Sequence, residues 1–197
     1  MENIKTTQEQ ELYLQKGKTY KMLLIFAMIS IVMIFAGLTS GFVVSKSRKD
    51  WLQNFEMPDT FLYSTILLLV SSLTFWMAKK MIKKGDNPKG MIFLLATLGL
   101  GILFVIFQFK GFSILFTEGL VPTGPTGSVT ISFLYAFVIV HIAHLVGGFF
   151  SLFFVIYNHF KQKYTPTQTL GIELSAMYWH FMDFIWLYLF LFFYFFK

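Results

Sequence analysis

The chain has 197 residues, of which 56 % are hydrophobic, 20 % aromatic and only 13 % charged. A soluble domain carries about 25 % charged residues, so this composition, with a mean hydropathy of +0.65, excludes a water-soluble globule and also excludes disorder, which needs few apolar residues. The absence of cysteine removes disulfides, thiolate metal sites and cysteine nucleophiles. What remains is an integral membrane protein.

A membrane-spanning helix needs roughly 20 apolar residues. Five stretches qualify, at about 22–44, 61–78, 91–109, 129–157 and 177–196. They are continuous runs rather than alternating ten-residue segments, so helices are expected and a barrel is not. The sequence therefore predicts an all-α integral membrane protein, a bundle of five transmembrane helices forming one domain over 22–197. Residues 1–21 form a tail before it. This tail holds three glutamates and the first span is long, so a cleavable leader is not expected. The loop after the second span carries the turn signal Gly85-Asp86-Asn87-Pro88, and the loop before the fourth carries Pro122 to Gly127.

Lysine and arginine set orientation. Eleven lie in the N-terminal tail, the second loop and the fourth loop, and five lie on the opposite side. The N-terminus is thus expected in the cytoplasm and the C-terminus outside. The net charge of +6 is mostly this topogenic lysine, suited to anionic headgroups. No soluble basic face is expected for nucleic acid.

Ionisable groups inside hydrocarbon are costly and face the protein interior. Here they are His141, His144, His180 and Asp183, with Glu173 just before the fifth span. His141 and His144 share a helix face, as do His180 and Asp183, each pair being three apart. Counting about 1.5 Å per residue puts His144 and Asp183 at similar depth, and a hydrogen bond from His144, His141 or His180 to Asp183 is expected. Haem or metal ligation, a proton relay through Asp183 and a structural network fixing helices four and five all fit these residues; the structural network leads. Small residues at Gly37, Gly41, Gly147 and Gly148 are expected to let helices approach closely.

The run Tyr178-Trp179-His180-Phe181-Met182-Asp183-Phe184-Ile185-Trp186 resembles the W-H-F-x-D-x-x-W signature of subunit III of haem–copper oxidases. The family's upstream glutamate matches Glu173. His141, His144 and Gly148 are similar to the family's H-x-x-H-x-x-x-G, and Gln108 and the serine-bearing second span (67–76) fall in the family's order. The resemblance implies a non-redox accessory subunit III of a proton-pumping cytochrome c oxidase in an aerobic bacterial cytoplasmic membrane. It implies that haem and copper lie in the partner subunits I and II, with none in this chain. It also implies packing against catalytic subunit I, and is compatible with other small subunits, a respiratory supercomplex and bound phospholipid. A subunit III-like protein of nitric oxide reductase and a quinol oxidase subunit III are the alternatives. Long family members have seven helices where this sequence has room for five. The family's glutamate in the first of these spans is Ile31 here, and a second one is Gly111, so no carboxylate role carries over at either position.

Overall fold

The computed structural model describes residues 2–52, 58–124, 127–165 and 168–196, with side chains from residue 13 onward. Five helices follow in order: α1 (Glu2–Val44), α2 (Asp59–Lys83), α3 (Asn87–Thr117), α4 (Val129–Phe160) and α5 (Leu170–Phe196), with a 3-10 turn, Ser45–Ser47, after α1. All five are long and apolar enough to cross a membrane.

Every helix outruns its apolar stretch. The α1 helix runs through the polar tail, whose Glu, Gln and Lys residues are good helix formers. The α3 helix continues from 109 to Thr117, and α5 starts at Leu170 rather than 177. That early start places Glu173 in the first turn of α5 instead of in the loop.

The helix starts follow local chemistry. Asp86 caps α3 by accepting from Lys89 N, and a proline stands in the first helical turn, where its missing N–H costs nothing. The Lys89 ammonium, 2.7 Å away, holds the Asp86 carboxyl below the usual carboxylate range. Gly85 takes the left-handed turn before it at φ 80°. Ser128 caps α4 through Ile131 N. Part of the expected 122–127 turn, Pro125 and Thr126, lies outside the described residues.

The helices α2 and α3 form a closely packed hairpin, and α5 lies against α2, α4 and α1. The larger core packs Phe35, Phe42, Phe61, Phe104, Phe137 and Trp186 from all five helices, and a second core gathers Phe75, Leu94, Leu152 and Trp179 toward the end where α5 begins. Ile31 is 8 % exposed and belongs to the larger core. Large apolar residues such as Phe26, Met33, Phe150 and Phe195 remain exposed, as hydrocarbon-facing surface requires.

Close approach occurs at particular glycines. A Cβ on Gly101 would sit 3.0 Å from the Trp179 ring and 3.1 Å from Phe149, whereas one on Gly99 would meet nothing within 4 Å. Gly101→Val should therefore destabilise the bundle by about 1–3 kcal/mol through overpacking, while Gly99→Val should have a much smaller effect. Denaturant unfolding of the two variants in mixed micelles checks this difference.

Candidate functional site

The polar groups of this bundle collect on the face of α5 that meets α2 and α3. Nothing inside hydrocarbon can satisfy a buried N–H except another protein group. The indole N–H of Trp179 donates to Ser71 Oγ at 3.2 Å, and Ser71 donates to the carbonyl of Thr97 on α3 at 3.3 Å. Thr97 Oγ1 is 2.9 Å from Thr74 Oγ1. Two turns further along α5, Trp186 donates its indole N–H to Thr65 Oγ1 at 3.0 Å, and Thr65 donates to Phe61 O. Beyond it Gln108 Nε2 donates to Ser64 Oγ at 2.8 Å. Between the two tryptophans, His180 Nδ1 is 2.7 Å from the Ser72 hydroxyl. A polar seam thus runs along the α2–α5 contact, with α3 supplying Thr97 and Gln108.

At one end of the seam Glu173 joins three helices. Lys21 Nζ from α1 lies 2.6 Å from its Oε2, and Lys83 Nζ from α2 lies 2.6 Å from its Oε1. Thr169 Oγ1 donates to the same Oε1 at 3.2 Å. The residue that matched a family position in the sequence is therefore an ionic clamp.

The histidines are dispersed, and the expected hydrogen bond to Asp183 is not formed. Asp183 is 4 % exposed and neither carboxyl oxygen has a hydrogen-bond partner. His144 turns back on its own helix, Nδ1 donating to Val140 O at 2.7 Å. His141 is fully enclosed by Phe35, Phe104 and Trp186, with ring centroids 6.4, 6.2 and 5.1 Å away, and both its ring nitrogens lack partners. The reason is angular. The α5 side chain that meets the His144 turn of α4 is Tyr178, which donates its hydroxyl to His144 O at 2.9 Å. Asp183 follows five residues later, about 140° around the helix, and turns toward α2. Phe181 packs at the edge of the larger core. Among the described residues no group of three or more His, Asp or Glu is placed to hold a metal ion.

The glycines divide. Gly148 and Gly147 lie under Trp179 and Tyr178, where a Cβ would come within 3.5 and 3.4 Å, so they do bring α4 and α5 together. Gly41 abuts Phe133 of α4 at 3.3 Å. Gly37 faces open space with nothing within 4 Å, so the expected packing role of this glycine is not met within the chain.

Two features escaped the sequence reading. His159, buried at the end of α4, donates Nε2–H to Asn87 O at 3.0 Å and ties α4 to the start of α3. The α2 hydroxyls Ser64, Thr65, Ser71, Ser72 and Thr74 recur on one side of that helix; the serine-bearing run shows in the sequence, whereas its bonding to the α5 indoles does not.

The clamp is partly exposed, so each ion pair contributes only about 0.2–1 kcal/mol and is screened by salt. Glu173→Gln should lower the melting temperature modestly at low ionic strength, and the gap to the wild type should shrink at high salt. Thermal unfolding at two salt concentrations reads this directly; a gap unchanged by salt would mean that the pairs do not act through charge.

The family model for cytochrome c oxidase subunit III matches residues 4–197. A probable cytochrome c oxidase subunit 3 of Mycobacterium leprae is 29 % identical over 168 residues, covering 82 % of this chain and 80 % of the relative. The cytochrome c oxidase subunit 3 of Pelomedusa subrufa is 33 % identical over 141 residues, covering 71 % of this chain and 50 % of the relative, so the chain spans about half the length of that protein. A cytochrome bo(3) ubiquinol oxidase subunit 3 of Pseudomonas putida is 29 % identical over 160 residues, covering 80 % of this chain and 73 % of the relative. With a family match over nearly its whole length, the five-helix chain with its tryptophan–hydroxyl seam belongs to the cytochrome c oxidase subunit III family, the third subunit of haem–copper oxidases.

Proposed function

We propose that this chain is the non-redox accessory subunit III of a proton-pumping haem–copper terminal oxidase. It packs against and stabilises catalytic subunit I in the cytoplasmic membrane of an aerobic bacterium. Its N-terminus lies in the cytoplasm and its C-terminus outside, in keeping with the lysine-rich tail and second loop. Haem and copper belong to the partner subunits. The observation that carries this reading is the full-length family match, joined to a bundle whose intramembrane hydroxyls and indoles bond one another across helices.

The exposed surface supports a partner-facing role. Of the five helices, α1 is the least enclosed, and Gly37 with Met33 and Phe26 is uncovered along it. Close helix approach in membranes uses such small residues. Quinol is a second reading for the electron donor, favoured by the name of the Pseudomonas putida relative.

The test is purification of the complex by an affinity tag on this chain. The expected result is co-purification of a haem- and copper-containing oxidase that consumes O2 with cytochrome c or a quinol as donor. Co-purification with nitric oxide reductase subunits instead would overturn the oxidase reading. Gly37→Trp should lower the yield of that complex while leaving the isolated chain folded, since nothing within the chain lies within 4 Å of that position.

A further inference from the structure

Asp183 presents an unsolved polar problem. Its side chain is buried, and neither oxygen accepts a hydrogen bond. An ionised carboxylate without donors in a low-dielectric interior is expensive, and the usual remedy is to give up the charge. The polar side chain facing it is Ser72 of α2, and the Ser72 hydroxyl is in turn 2.7 Å from His180 Nδ1. Asp183 stands three residues beyond His180, on the face of α5 that His180 turns to Ser72, and the soft terminal torsion of an aspartate side chain lets its carboxyl reach for that hydroxyl. His180 is half-buried, on the side of α5 that opens to the membrane face of the bundle.

We propose that Asp183, Ser72 and His180 form a proton-holding relay between α5 and α2, in which Asp183 is carried as the carboxylic acid and donates to Ser72 Oγ, while Ser72 donates its own proton to His180 Nδ1. This goes beyond the accessory-subunit reading and does not depend on which oxidase the chain serves. On discharge the Asp183 O–H bond breaks as a new O–H bond forms on Ser72. The former Ser72 O–H bond breaks as an N–H bond forms at His180 Nδ1. Asp183 is left as carboxylate and His180 as imidazolium, with one proton passed along and no oxidant or reductant involved. Release of the proton on Nε2 to water or to a basic group of a neighbouring subunit completes discharge, and recharging runs the same steps in reverse. The nearest charged groups along these two helices are Lys79, seven residues beyond Ser72 on α2, and Glu173, seven residues before His180 on α5, each about 10 Å toward the same end of the bundle; Asp59, Lys80 and Lys83 lie farther from Ser72 along α2. Glu173 is held there by Lys21 and Lys83. The relay is thus separate from that clamp, with Lys79 the cation that acts on His180.

Infrared spectroscopy of the purified complex containing the full chain tests this. The wild type should show a carboxylic-acid carbonyl band that Asp183→Asn removes and that Ser72→Ala shifts to higher frequency, because the acid has lost its acceptor. On transfer to D2O the same band should exchange more slowly in His180→Phe, which removes the outlet. A purely structural cluster would not couple His180 to the exchange of the Asp183 proton. If Asp183→Asn fails to assemble, the difference between Ser72→Ala and wild type still reads the band, since it keeps Asp183 in place. No carboxylic-acid feature in either difference spectrum, or an exchange rate unchanged in His180→Phe, overturns the proposal.

Discussion

Two indole N–H groups organise this bundle. Hydrocarbon offers no hydrogen-bond partner, so each buried tryptophan must be seated against an acceptor on another helix. Trp179 and Trp186 stand seven residues apart, on one face of α5, and reach Ser71 and Thr65 on α2. Bonding at two heights fixes both the rotation of α5 and its sliding position along α2. The rest follows from that placement: Gly101 must be bare because the Trp179 ring lies on it, and Gly148 lies beneath the same ring from α4. Trp186 meets Phe104 and His141 from the other side, at centroid distances of 5.1 Å each. Each bond is worth little on the membrane scale, about 0.6 kcal/mol on average, so the tethers act through register more than through bulk stability.

The number of helices, their order and the turn at Gly85-Asp86-Asn87-Pro88 were legible in the sequence because continuous apolar runs and punctuating Gly, Pro and Asp are local signals. The ends were not. Hydropathy marks where a chain can cross hydrocarbon, whereas a helix continues wherever its backbone stays bonded, which is how Glu173 comes to lie inside α5. The spacing of His180 and Asp183 identified a shared face but not the neighbour it meets. With α2, α4 and α1 all packed on α5, the choice of neighbour is tertiary. It placed Asp183 toward α2 and left His144 to its own carbonyl. Trp179, His180 and Trp186 of the signature run each bond or approach α2 hydroxyls. The serine-bearing second span was visible too, but its pairing with the α5 indoles is tertiary and has no local signal. Lys21 and Lys83 read as topogenic charge in the sequence and serve as a clamp in the fold.

The sparse charge of the composition has acquired positions. The ion pairs sit near helix ends, at Glu173, Asp86 and Asp50. Among the described residues the interior holds hydroxyls, indoles, Gln108, Asn158, His159 and the unpartnered His141 and Asp183. That distribution suits a subunit whose contribution is shape and surface, and it leaves Asp183 beside Ser72 as the interior group whose chemistry is still open to change.

The central claim is that the α5 tryptophans and α2 hydroxyls are coupled tethers. A double-mutant cycle with Trp186→Phe, Thr65→Val and the double variant, followed by unfolding in mixed micelles, tests it most directly. Coupled tethers should give a coupling above about 0.6 kcal/mol, the average for intramembrane hydrogen bonds, and up to about 1.7 kcal/mol, their maximum. Effects that add to within about 0.3–0.5 kcal/mol, as for independent sites, would contradict it.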